Sequence, residues 1–229
     1  MSSKDSGFNL KSVVTITKSL IEDLLYFQNE NDCLVANFTE GGKYPIVVIT
    51  GENATGKSFI RRLYQLLFKE YCNIECIHLS QQGRSSSGII KAFVYGDETW
   101  ESTGDISGRT VRTGISTCNS RDNKHTIIWD EPDIGLSDSY SAGIGVEIRK
   151  FVENLPKLTF GVIVITHSKY LIKELLPLNP HHLRLGDNKS LNSYLKERVK
   201  PKDISTLHDR AIETFRKIQS IINEKDKNK

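Results

Sequence analysis

Apolar residues recur along this chain with two periods, and the alternation between the periods predicts its architecture. Over residues 11–29, Val13, Val14, Ile16, Leu20, Ile21, Leu24, Leu25 and Phe27 suit a helix after a short extended start. Residues 34–38 and 45–49 read as strands, separated by the turn Glu40, Gly41, Gly42, Lys43. Phe59, Ile60, Leu63, Leu66, Leu67 and Tyr71 then fall mostly at helical spacing over 58–71, and a strand resumes over 74–79. Two more short runs, 126–129 and 160–165, are rich in β-branched residues and suit buried parallel strands, with a helix over 141–155 between them. Strand and helix in this order predict an α/β fold whose mostly parallel sheet is covered by helices.

The pattern weakens in two places. Residues 80–88 are polar, and residues 97–125 contain few large apolar groups, so much of that stretch is expected to be exposed. After residue 185 a polar connection leads through a basic patch, residues 196–202, expected to be a solvated face. Leu207, Ala211, Phe215, Ile218 and Ile222 then repeat at intervals of 4, 4, 3 and 4, which places them on one face of a helix over 204–223. That face is expected to pack on the preceding core or to dock another chain, because a single helix of this length is marginal alone. The expected organisation is one domain over 1–185 with a C-terminal helical extension over 186–229.

Composition narrows the class without naming the chemistry. The 229 residues are 38% hydrophobic and 26% charged, an ordinary globular balance, and the net charge of +3 is too small to argue for nucleic acid by itself. No apolar run approaches the roughly 20 residues that cross a bilayer, and residues 1–7 are polar, so a cytoplasmic protein without membrane insertion is expected. Cys33, Cys72, Cys76 and Cys118 have neither disulfide-framework density nor paired zinc spacing, and reduced thiols are the expectation.

The chemistry enters at the end of the second predicted strand. Gly51, Glu52, Asn53, Ala54, Thr55, Gly56, Lys57 and Ser58 form a complete G-x-x-x-x-G-K-[ST] motif between a strand and a helix. Backbone N–H groups of such a turn, backed by a helix N-terminus, make a concave nest of partial positive charge that suits nucleotide phosphates. Lys57 adds a full charge and Ser58 a hydroxyl for Mg²⁺. A second site closes the strand of residues 126–129, where Asp130 and Glu131 stand side by side. Asp130 is positioned to hold the metal, and Glu131 to polarise an attacking water.

With these residues the chain resembles the ABC-type P-loop ATPases, which include transporter motors and the SMC-like ATPases of DNA repair. The resemblance covers roughly residues 34–175. Asp130, Glu131 and Pro132 look like that family's Walker B with its catalytic glutamate, and residues 135–138 lie where its D-loop would be. His167, after an apolar strand, resembles the switch histidine that senses the γ-phosphate. Ile106, Ser107, Gly108, Arg109 and Thr110 fall at the distance of the family signature and keep its Ser-Gly pair, departing at Arg109 and Thr110. The resemblance implies that Ser107 and Gly108 reach the nucleotide of a second subunit, and that Gln81 or Gln82 is the glutamine that touches Mg²⁺ and water.

Lys57 and Asp130 are only 73 positions apart, which implies a reduced helical subdomain and disfavours both a transporter motor and long coiled-coil arms. The resemblance thus implies a small ATPase with ATP and Mg²⁺ as ligands, acting as a switch in DNA repair, phage biology or defence. Its partners would be a second copy in an ATP-driven homodimer, and a protein or DNA. A small-molecule kinase and an ATP-gated binding module with negligible turnover are the alternatives. No phosphate-site candidate lies beyond His167, so the C-terminal helix is expected to be dispensable for nucleotide binding.

Overall fold

The computed structural model describes residues 12–28, 34–80 and 102–227. Six strands, β1 (Ala36–Thr39), β2 (Ile46–Gly51), β3 (Glu75–Ser80), β4 (His125–Asp130), β5 (Thr159–Ile165) and β6 (His181–Leu185), pair in one sheet of order β1-β6-β2-β5-β4-β3. All neighbours are parallel except the edge pair β1 and β6. The chain is therefore an α/β protein with a mostly parallel sheet.

Each central strand is apolar on both faces because helices cover both. Ile46, Val48, Ile127, Trp129, Val162 and Val164 belong to one core cluster, and Val47, Ile49, Ile128, Ile163 and Ile165 to the other. The first cluster is closed by α4 (Thr103–Ser120), α5 (Asp138–Glu153) and α6 (Lys169–Leu175), with the Trp129 and Phe151 rings edge to face at 5.8 Å. The second is closed by α1 (Val13–Asp23) and α3 (Lys57–Cys72), through Val13, Ile16, Ile60, Tyr64 and Phe68. Two helices follow β6: α7 (Leu191–Lys196) and the long α8 (Thr206–Lys227). Among the described residues no helix is long and apolar enough to cross a membrane.

Four expectations change. The first helix ends at Leu24, whose φ of -88° and ψ of 129° are extended, and a single turn, α2 (Leu25–Gln28), follows. The strands over 34–38 and 45–49 form, but β6 lies between them. Their connection is held away by Asn179, whose carbonyl accepts the Gly42 N–H at 2.6 Å. Strand β6 itself carries buried His181, His182 and Arg184, and these polar residues hid it. Three contacts engage these side chains: the Gly41 N–H donates to His181 Nδ1 at 2.9 Å, His182 Nε2 meets Thr50 Oγ1 at 2.8 Å, and Arg184 forms a two-pronged pair with Asp187 at 2.7 Å.

The largest correction concerns residues 97–125. The described part of that stretch is not an exposed polar segment but helix α4, with Ile106, Thr110, Val111, Gly114 and Cys118 buried. Small residues take the place of large apolar ones because the helix lies close against the sheet. A Cβ on Gly114 would come within 2.6 Å of Leu79 and 2.9 Å of Ile127.

Candidate nucleotide site

Parallel pairing brings the C-terminal ends of β2, β4 and β5 to one edge of the sheet, the edge where open α/β sheets take their ligands. From β2 the chain turns through Gly51 to Gly56 and enters α3 at Lys57. Gly56 caps the helix at φ 94°, a left-handed conformation that a side chain would strain. Ala54 shares that region at φ 63°, and the Thr55 hydroxyl donates to the Glu52 carbonyl at 2.9 Å, which closes the loop on itself.

Lys57 lies across this loop. Its ammonium donates to the carbonyls of Gly51 at 3.1 Å and Glu52 at 2.9 Å. Burial pushes its pKa down to about 8, against the opposing pull of Glu131 and Asp130. A desolvated ammonium among convergent backbone groups gains by meeting an anion.

Asp130 closes β4, and burial raises its carboxyl above the ordinary value while Arg61 opposes that rise. Arg61 was not anticipated, although its place four residues after Lys57 puts both on one helix face. It is 5% exposed, stands 3.4 Å from Asp130 Oδ2, and donates to His78 Nε2 at 2.9 Å. Burial, aided by the Arg61 charge, pushes His78 down to about 4, so the imidazole is the neutral acceptor that arrangement needs.

Glu131 follows at φ 55°, a left-handed conformation that costs a non-glycine residue free energy and turns the side chain out of the strand line. Its N–H donates to the Ile165 carbonyl at 2.8 Å, which ties the end of β4 to that of β5. Two residues further along β5's exit, His167 Nε2 lies 3.4 Å from Glu131 Oε1. Contact with His167 holds the Glu131 carboxyl below its usual range, against the effect of burial. His167 is itself positioned: the Tyr194 hydroxyl from α7 donates to its carbonyl at 2.7 Å, and Thr166 before it donates to Asp133 at 2.9 Å.

Asn53, Ala54, Gly56, Lys57, Ser58, Ser80, Asp130 and Glu131 line one cavity of about 600 Å³. Its opposite wall is unforeseen. Leu207, Ala211, Thr214, Phe215 and Ile218 of α8 face it, and the Thr214 hydroxyl donates to the Ala54 carbonyl at 2.6 Å. Glu52 forms ion pairs with Lys202 and, at 3.1 Å, with Arg210. The C-terminal helix is therefore neither a remote tail nor wholly packed on the core, and residues well beyond His167 line the same cavity. The apolar spacing was the signal, but it could not say which surface the row would face.

The other expected residues divide. Gln81 and Gln82 lie outside the described residues, just after Ser80, which lines the cavity. Ser107 and Gly108 sit inside α4, beyond its first turn. Ser107 is 7% exposed and its hydroxyl donates to the Ile134 carbonyl of the same chain at 2.7 Å. The Ser107 hydroxyl is thus engaged within its own chain, whereas Gly108 beside it is half-buried, and a Cβ there would meet nothing nearer than Arg112 at 4.0 Å. Compared with models of known protein families and with curated proteins, the chain finds no match.

Proposed function

We propose that the protein is a Mg²⁺-dependent ATPase of the ABC type that works as a molecular switch. One observation carries the reading: Lys57 and the strand-end carboxylates Asp130 and Glu131 line a single cavity, and β5, inserted between their strands, sets His167 against Glu131. In this reading the loop N–H groups and the Lys57 ammonium hold the β- and γ-phosphates. Ser58 and Asp130 would hold Mg²⁺, which when bound would neutralise phosphate charge. The donor set fits that ion. Mg²⁺ takes one or two carboxylates and completes its shell with phosphate oxygens and water. Among the described residues no cluster of three or more acidic, His or Cys groups offers an all-protein cage, and the buried Asp130 carboxyl gains from a nearby cation.

Glu131 is ionised at neutral pH, accepts a hydrogen bond from the attacking water and takes up its proton as the water oxygen bonds to the γ-phosphorus and the bond from that phosphorus to the β–γ bridging oxygen breaks, so that ADP leaves with that oxygen. His167 keeps that carboxylate aimed. Arg61 orients Asp130. All of these groups come from one chain.

The test is to incubate the purified chain with ATP and Mg²⁺, with and without DNA, while phosphate release and mass in solution are followed together. The wild type is expected to release phosphate, and Glu131→Gln to keep ATP affinity but slow release by roughly 10²-fold or more. A wild-type rate in Glu131→Gln would remove that residue from the mechanism. ADP formed without free phosphate would instead identify an acceptor other than water, as in a kinase. A doubled mass in Glu131→Gln with ATP would establish the homodimer.

A further inference from the structure

The apolar row of α8 faces the cavity across from Lys57, although sequence periodicity of this kind usually marks a face buried in a core. Phe215 remains 58% exposed in that position. The helix is nevertheless well anchored. Thr214, next to Phe215, is bonded to the loop carbonyl of Ala54, Arg210 is paired with Glu52, and Ile221, further along, is 3% exposed. The row is therefore presented to the cavity by contacts on either side of it. An aromatic ring held over a void of about 600 Å³ lacks a covering group, and that volume lies within the roughly 300–1,000 Å³ of small-molecule sites.

The two walls are complementary to the two ends of one molecule. The loop wall offers the Lys57 ammonium and the start of α3, which suit phosphates. The α8 wall offers Phe215 with aliphatic neighbours, which suits a flat aromatic ring. On the floor, Phe59 is already engaged edge to face by Tyr26 at 4.8 Å, so Phe215 is the ring left with an open surface.

We propose that α8 is the nucleobase-binding wall of this site, with Phe215 as the residue on which the base stacks. The proposal rests on the reading of the cavity as a nucleoside triphosphate site. It also makes the site complete within one chain, with α8 covering the phosphate loop.

The experiment measures binding of ATP and of inorganic tripolyphosphate, each with Mg²⁺, to the full chain and to Phe215→Ala, Phe215→Trp and Lys57→Ala. Tripolyphosphate carries the phosphate chain without base or ribose. Phe215→Ala is expected to weaken ATP by roughly tenfold or more and leave tripolyphosphate unchanged, since stacking acts on the base alone. Phe215→Trp should keep ATP affinity, and Lys57→Ala should weaken both ligands. Unchanged ATP affinity in a folded Phe215→Ala chain overturns the proposal while sparing the nucleotide reading. Equal loss of both ligands also overturns it, because Phe215 would then act through the loop. A wild-type chain that binds neither ligand removes the nucleotide reading, and this proposal with it.

Discussion

On one side of the cavity the phosphate loop and Asp130 stand on strands whose residues are almost all buried; on the other, α8 leans over the same space with few of its described residues buried. The first wall is held by the sheet itself. Its position follows from the pairing of β2, β5 and β4, and from core contacts on both faces. The second is held by the buried Ile221 and by a few polar contacts to the loop it covers: Thr214 to Ala54, Arg210 to Glu52 and, just before the helix, Lys202 to Glu52. Removal of a loop residue should therefore abolish a function without loosening the fold, whereas a change at the α8 anchors should alter coverage of the site and little else.

The largest effect belongs to the polar wall. Lys57→Ala is expected to lower nucleotide affinity by roughly 10²-fold, the order expected when a charge-assisted hydrogen-bond donor is lost from a site of low dielectric. Calorimetric titration with ATP and Mg²⁺ measures it. Because among the described residues the ammonium donates to loop carbonyls, the unfolding midpoint should stay close to that of the wild type.

Stability should respond instead to what supports the wall from behind. Gly114→Val forces methyl groups toward Leu79 and Ile127, at a position where even a Cβ lies within 3 Å of both. Overpacking of that kind costs about 1–3 kcal/mol, read as a lower urea midpoint. If Gly114→Val leaves the midpoint in place, α4 is not the close-packed cover described above.

A smaller effect follows from the depressed Lys57 pKa. Bound phosphate favours the charged ammonium, so the affinity of the nucleotide should be level below pH 8 and fall above it, where the free site has lost its proton. The decline is at most about tenfold per pH unit, accompanied by proton uptake on binding. Affinity that stays level up to pH 10 would show that Lys57 titrates at its ordinary value.

The smallest effect separates the second wall from the first. Glu52→Gln removes the charge that holds Lys202 and Arg210, and pairs this exposed contribute about 0–1 kcal/mol. Amide exchange in α8 should speed up by a few-fold, with exchange in β2 and β4 unchanged. Low pH should act in the same direction. Lys202 holds the Glu52 carboxyl below its ordinary value, so the latch is complete above that value and is lost as pH falls through the depressed one. Faster exchange in both walls would contradict the separation.

Much of the polar wall was legible in advance because its signals are local. The motif from Gly51 to Ser58 needs only a strand before it and a helix after it, and apolar runs marked β2, β4 and β5 because strands covered on both faces carry no alternation. What escaped was burial that large apolar residues do not announce. Helix α4 packs through Gly114, Thr110 and Cys118, and β6 is buried with His182 and Arg184, which pair with Thr50 on the neighbouring strand and with Asp187 just beyond β6.

The sequence alone determined the strands other than β6, the phosphate loop and the residues that end β2, β4 and β5, since period, composition and turn chemistry act between near neighbours. Tertiary structure alone decided where these pieces meet. The insertion of β5 between β2 and β4 brings His167 to Glu131, an approach that no spacing encodes. The Ser107 hydroxyl turns inward because Ile134 lies within reach, and the apolar row of α8 faces a cavity rather than a core because Thr214 and Arg210 find partners on the loop. An amphipathic period states that a face must be covered; which surface covers it is settled by contacts between residues far apart in the chain.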